Sequence, residues 1–131
     1  MTTQVLHGDL AAPNVLLRGD ELAAVIDFQP PSAGYVSWEI ARIAYDPRTV
    51  VSLPSWPEAA EELLEAYRHA NPVTRPDDLG SAIVVGTAYV LASTYPLATI
   101  LGEPGKADDS LRRYGRARHE AALAMLELVR A

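Results

Sequence analysis

No cysteine occurs anywhere in the 131 residues, so disulfide frameworks, thiolate metal sites and cysteine nucleophiles are excluded together. Only His, Asp, Glu, Ser and Thr chemistry remains. Lysine is almost as scarce: ten of the eleven basic residues are Arg, and Lys106 stands alone, far down the chain. An excess of positive charge is also missing. With a formal net charge of −6 and a pI near 4.9, no diffuse cationic field would draw the chain to nucleic acid or anionic lipid. Neither nucleic acid nor a membrane is expected as a partner. Long apolar runs are lacking too, since 83–92 is too short and too interrupted to span a bilayer. Neither end shows a basic segment followed by an apolar core and a cleavage site, so a cytoplasmic protein is expected.

What is present suits a single globular domain over 1–131: 49% hydrophobic and 21% charged residues are enough to bury a real core. Short apolar runs at 3–6, 15–17 and 22–26 read as strands. Arg18-Gly19-Asp20 between the last two supplies a hairpin turn. The chain then turns helical. Residues 29–37, with two prolines and a glycine, read as loop. A short, mostly buried helix is expected over 38–45, ending before Asp46-Pro47. The next runs from 57 to 69 with Ser55 as cap and is stopped by Asn71-Pro72. A central helix over 77–101 is apolar nearly all round and is kinked or ended by Pro96. A last helix over 108–129 carries an apolar stripe of Leu111, Tyr114, Ala122, Met125, Leu126 and Val129. The fold class expected is mainly α with a small β-hairpin, α+β.

The chemistry concentrates in His7-Gly8-Asp9-Leu10 and Asn14, followed by Val25-Ile26-Asp27-Phe28. Phosphoryl transfer asks a protein chiefly to orient an acceptor hydroxyl and to hold metal ions against a nucleotide's phosphates. An Asp in a loop takes the hydroxyl proton, an Asn five residues later reaches a metal, and a further Asp from the adjacent hairpin binds the metal spanning the β- and γ-phosphates. Asp9, Asn14 and Asp27 have that order and spacing.

These segments, with Val15-Leu16-Leu17 after Asn14, resemble the aminoglycoside phosphotransferase family of kinase-like enzymes. Gly8 separates them from protein kinases, which carry Arg there. The resemblance implies Asp9 as catalytic base, Asn14 and Asp27 as magnesium and nucleotide-site ligands, and His7 as a structural residue packed under the metal-binding segment. It also implies that the later helices form the pocket for a small hydroxylated acceptor. Trp38-Glu39-Ile40-Ala41 is similar to the family segment that follows the metal Asp, with Glu39 in place of Asp. If that carboxylate braces the loop, one extra methylene is expected to shift it.

No lysine and no Gly-rich segment precedes the motif, so the resemblance is to the C-terminal lobe of the protein-kinase-like fold alone. ATP and Mg2+ are then expected as cofactors on condition of a complementing N-terminal lobe. Two functions compete: an ATP-dependent phosphotransferase acting on a hydroxyl, in the form of a truncated C-terminal lobe, and a non-catalytic remnant serving as a binding or scaffolding module. In the second, a protein partner or a homodimer would cover the interlobe surface.

The other conspicuous clusters have plainer explanations. Glu58, Glu61, Glu62 and Glu65 make the solvated face of an amphipathic helix, and Arg112, Arg113, Arg116 and Arg118 a charged outer face. Trp38, Tyr45, Tyr89 and Tyr95 are expected in the core. His69 and His119 have no companions that would make either a metal ligand.

Overall fold

Two short antiparallel strand pairs open the chain and seven helices follow them in the computed structural model, which describes residues 1–131. The expected α+β class holds. Strands β2 (Val15–Arg18) and β3 (Glu21–Val25) form the hairpin, Val15 facing Val25, with a register irregularity at Leu16/Leu17. Gly19 supplies the positive φ (+62°) of its turn.

Strand β1 (Thr3–Leu6) does not join that hairpin. It pairs instead with β4 (Ser32–Tyr35), in a segment expected to be loop. Pro30 and Pro31 lie just outside β4, so they do not interrupt its ladder. Gly34 permits the pairing, because a Cβ there would sit 2.6 Å from Leu6 Cδ1.

Helix α1 (Val36–Ala44) ends where expected, but Asp46-Pro47 also starts another helix, α2 (Pro47–Ser52). The Asp46 carboxylate accepts the Arg48 N–H at 2.8 Å, and Pro47 occupies the first turn, where its missing N–H costs nothing. Helix α3 (Trp56–Ala70) buries Ala60 and Leu64 and turns its four glutamates to solvent. Ser55 precedes it without making a side-chain cap bond, contrary to expectation.

The expected central helix is three: α4 (Pro76–Gly80), α5 (Ala82–Ala92) and α6 (Leu97–Gly102). Ala82–Gly102 together is long and apolar enough to cross a membrane by length and composition alone, with a mean hydropathy of 1.5. The non-helical residues 93–96 break it, and unpaired backbone is costly in hydrocarbon. Helix α7 (Asp109–Arg130) is capped by Asp108, whose carboxylate accepts the Leu111 N–H. Of its expected stripe, Ala122 and Met125 are buried and Val129 is exposed.

One cluster of 13 buried residues joins these helices, with Ile40, Ala41 and Ala44 from α1, Leu64 from α3, Val90 from α5 and Met125 from α7. Gly86 is where α5 comes closest: a Cβ there would lie 3.0 Å from Tyr45 and 3.2 Å from Met125. Tyr45 is buried, and desolvation, with Glu61 adding to it, raises its phenol pKa. Trp38 and Tyr95, expected in the core, are 43% and 54% exposed. Trp38 instead sets its edge against Tyr89, ring centres 5.1 Å apart. Arg118, expected on an outer face, is 5% exposed.

Candidate functional site

His7, at the end of β1, ties the motif together. Its Nε2 lies 2.8 Å from the Ile26 carbonyl, which can only accept, so Nε2 carries the proton and Nδ1 is free to accept the Asp9 N–H at 3.2 Å. The Gln29 N–H donates back to the His7 carbonyl, and the Phe28 ring packs 4.2 Å from the imidazole. Gly8 bends the loop at φ +88°, with its Cβ direction filled by Gln29 at 2.7 Å. A side chain at position 8 would meet both obstacles.

Glu39 of α1 braces the loop despite its extra methylene. One carboxylate oxygen accepts the Gly8 N–H at 2.6 Å and the other the His7 N–H at 3.0 Å. The carboxylate thus reaches both N–H groups from α1.

Asp9 and Asn14 come into direct contact. The Asn14 amide nitrogen donates to the Asp9 carbonyl at 2.8 Å and to Asp9 Oδ2 at 3.1 Å. Two acceptors facing one amide end fix its orientation and leave Asn14 Oδ1 without a hydrogen bond. The other Asp9 oxygen is held by Arg42 of α1 at 2.5 Å, and Arg42 also donates to the Gly8 carbonyl at 3.4 Å. Over the Tyr89 ring, the Arg42 guanidinium carbon stands 5.1 Å from the centroid.

Asp27 follows β3 and is the one non-glycine residue with positive φ, +63°. Its neighbours are pinned: the Ile26 N–H donates to the Asn14 carbonyl at 3.0 Å, and the Ile26 carbonyl is the acceptor for His7. Asp27 is exposed, and its carboxylate makes no hydrogen bond within the protein. Left-handed backbone at an acidic residue stores strain that a fold keeps where the side chain's direction matters.

Asp9 and Asn14 open onto a cleft of about 750 Å³, whose far wall is built by Tyr95, Lys106 and the first turns of α7. Arg48 and Arg113 also line it. Hydrogen bonds to Asp46 hold the Arg48 guanidinium above its ordinary pKa, against its partial burial. Groups of three or more His, Asp or Glu able to hold a metal are absent. Asn14 Oδ1 and the Asp27 carboxylate are two oxygen donors without internal partners. Both are hard oxygen donors, the ligand type that magnesium takes.

Of the three residues expected from the sequence, two touch, and the third is one residue past the bond that ties its strand to Asn14. Sequence reasoning misses Arg42. Its only signal is a basic residue three positions after Glu39 in a short, otherwise apolar helix.

Comparisons with curated proteins and with solved structures gave no match. The model of one family does match, over residues 1–78. That span contains both strand pairs, the braced loop, Asp27 and helices α1 to α3, and most of α4. The chain therefore belongs to the phosphotransferase enzyme family.

Proposed function

We propose that this chain carries the transfer chemistry of an ATP-dependent phosphotransferase that phosphorylates a hydroxyl of a small molecule. One observation carries the proposal: Asp9 and Asn14 meet at the mouth of the cleft, on a loop braced by Glu39. In this reaction the acceptor oxygen bonds to the γ-phosphorus, the bond from that phosphorus to the bridging oxygen breaks, and ADP leaves. The hydroxyl proton passes to the Asp9 carboxylate. Asn14 and Asp27 would hold magnesium, which neutralises charge on the phosphates. Arg42 keeps Asp9 aimed at the cleft, and Tyr95 and the start of α7 supply the acceptor's surroundings. A nucleotide-gripping lobe would supply the phosphate-covering loop and the lysine that reaches the α- and β-phosphates.

The test is calorimetric titration of the chain with Mg-ATP, repeated with Asp27→Ala. Binding in the wild type that disappears in the variant supports the metal-site roles. Absence of heat in both overturns them for this chain and favours a second function, that of a binding module. The observation behind that alternative is the apolar surface of the hairpin and the segment after it, where Leu17, Leu22 and Phe28 are 63%, 63% and 68% exposed. A protein partner or a second copy would cover it.

A further inference from the structure

Helices α5, α6 and α7 line a second cavity, open to solvent and of about 510 Å³, which shares only Tyr95 with the Asp9 cleft. Its basic lining is Arg112, Arg116 and Arg118, with His119 beside them and no carboxylate among the lining residues. In a chain of net charge −6 this is a local reversal of sign. None of the four is in an ion pair.

Arg118 is the anomaly. It is 5% exposed, and its two terminal nitrogens reach only the Tyr114 hydroxyl and the Val90 carbonyl, each at a long 3.3 Å. The Tyr89 and Tyr114 rings lie 5.4 Å and 5.8 Å from its guanidinium carbon. These groups solvate the cation without neutralising it. A buried guanidinium without a counter-charge is costly unless something supplies one. The remaining wall is apolar, formed by Val90, Pro96, Leu97, Ile100 and Ala122. The volume lies within the ~300–1,000 Å³ range of small-molecule sites.

We infer that this cavity binds a small amphipathic anion, its carboxylate or phosphate head paired with Arg118 and Arg116 and its apolar body against Pro96 and Ile100. The guanidinium fork matches either oxyanion. The inference is independent of the function assigned to Asp9.

The experiment is calorimetric titration of the full chain with decanoate and with decyl phosphate, taking decanol and inorganic phosphate as references. One site is expected, with one or both alkyl anions binding at least about tenfold more tightly than either reference, or 1.4 kcal/mol. Arg116→Glu changes an exposed side chain without internal hydrogen bonds, and it should weaken the anion at least ~10-fold. Arg118→Met should do the same and raise the ligand-free melting temperature by removing the unpaired charge. If that variant does not fold, Arg116→Glu decides alone. Equal affinity for decanol, undiminished binding in Arg116→Glu, or no binding of either anion at millimolar concentration overturns the inference. So does binding lost in Arg113→Glu but kept in Arg116→Glu, which would put the anion in the Asp9 cleft.

Discussion

Arg42 holds the Asp9 carboxylate at 2.5 Å, and the two side chains are unequally buried: 16% of Arg42 is exposed against 39% of Asp9. The cation depends on the pair more than the anion does. Deleting Asp9 leaves Arg42 half-buried with Tyr89 and the Gly8 carbonyl for company, whereas deleting Arg42 returns Asp9 to water. Asp9→Ala should therefore destabilise more than Arg42→Met, by about 1 kcal/mol. Urea unfolding of both variants measures this. Equal midpoints, or the reverse order, would show that the pair contributes orientation without stability.

Glu39 offers a test by length. Glu39→Asp restores the residue type usual in the family but shortens a carboxylate that serves two N–H groups. A loss of roughly 1 kcal/mol is expected for one weakened bond, and more for Glu39→Gln, whose amide end offers a donor to a donor. Hydrogen exchange at the His7 and Gly8 amides should quicken in both variants, leaving amides in α7 unchanged.

Backbone strain at two positions predicts opposite outcomes. Gly8→Ala combines φ +88° with a Cβ 2.7 Å from Gln29, and should cost at least about 2 kcal/mol. Asp27→Gly relieves the strain of φ +63° and should leave stability unchanged or raise it by up to ~1 kcal/mol. It should also abolish any Mg-ATP heat. An Asp27→Gly variant less stable than the parent would refute the strain argument.

Asp78 predicts a pH dependence of stability. The Thr2 side-chain hydrogen bond, chiefly, lowers its pKa against desolvation, with backbone N–H groups of Thr2 and Arg75 helping; the Thr2 N–H stands at 2.7 Å. Because the folded value lies below the unfolded one, the stabilisation is complete above the unfolded carboxylate's pKa of about 3.9 and fades as pH falls through the folded value. Asp78→Asn should melt lower than the wild type at pH 7. The difference should close as the solution is acidified below about pH 4. A gap independent of pH would mean the tether of Thr2 to α4 does not depend on charge.

Much of this is legible in residue order alone where the signal is local. Apolar runs and Gly19 mark three of the four strands, and apolar spacing marks α1, α3 and α7 to within a residue or two. β4 escapes because its partner lies 26 residues or more upstream and its approach is lined with prolines. α2 escapes because Asp46-Pro47 serves as an end and a beginning at once. In the site, residue types and spacing single out Asp9 and Asn14, whose side chains the fold brings into contact. Arg42 and Arg118 are hidden because an arginine's burial is decided by what packs over it, here Tyr89 from α5 in both cases.

The cleft beside Asp9 has walls from two stretches of chain: the loop from within residues 1–78, and Tyr95, Lys106 and α7 from beyond them. Under the proposed function, reactivity and selectivity would be written in different stretches of the polypeptide. Drift in the second half can reshape what fits against Asp9 while its hydrogen bonds to Arg42 and Asn14 stay as they are.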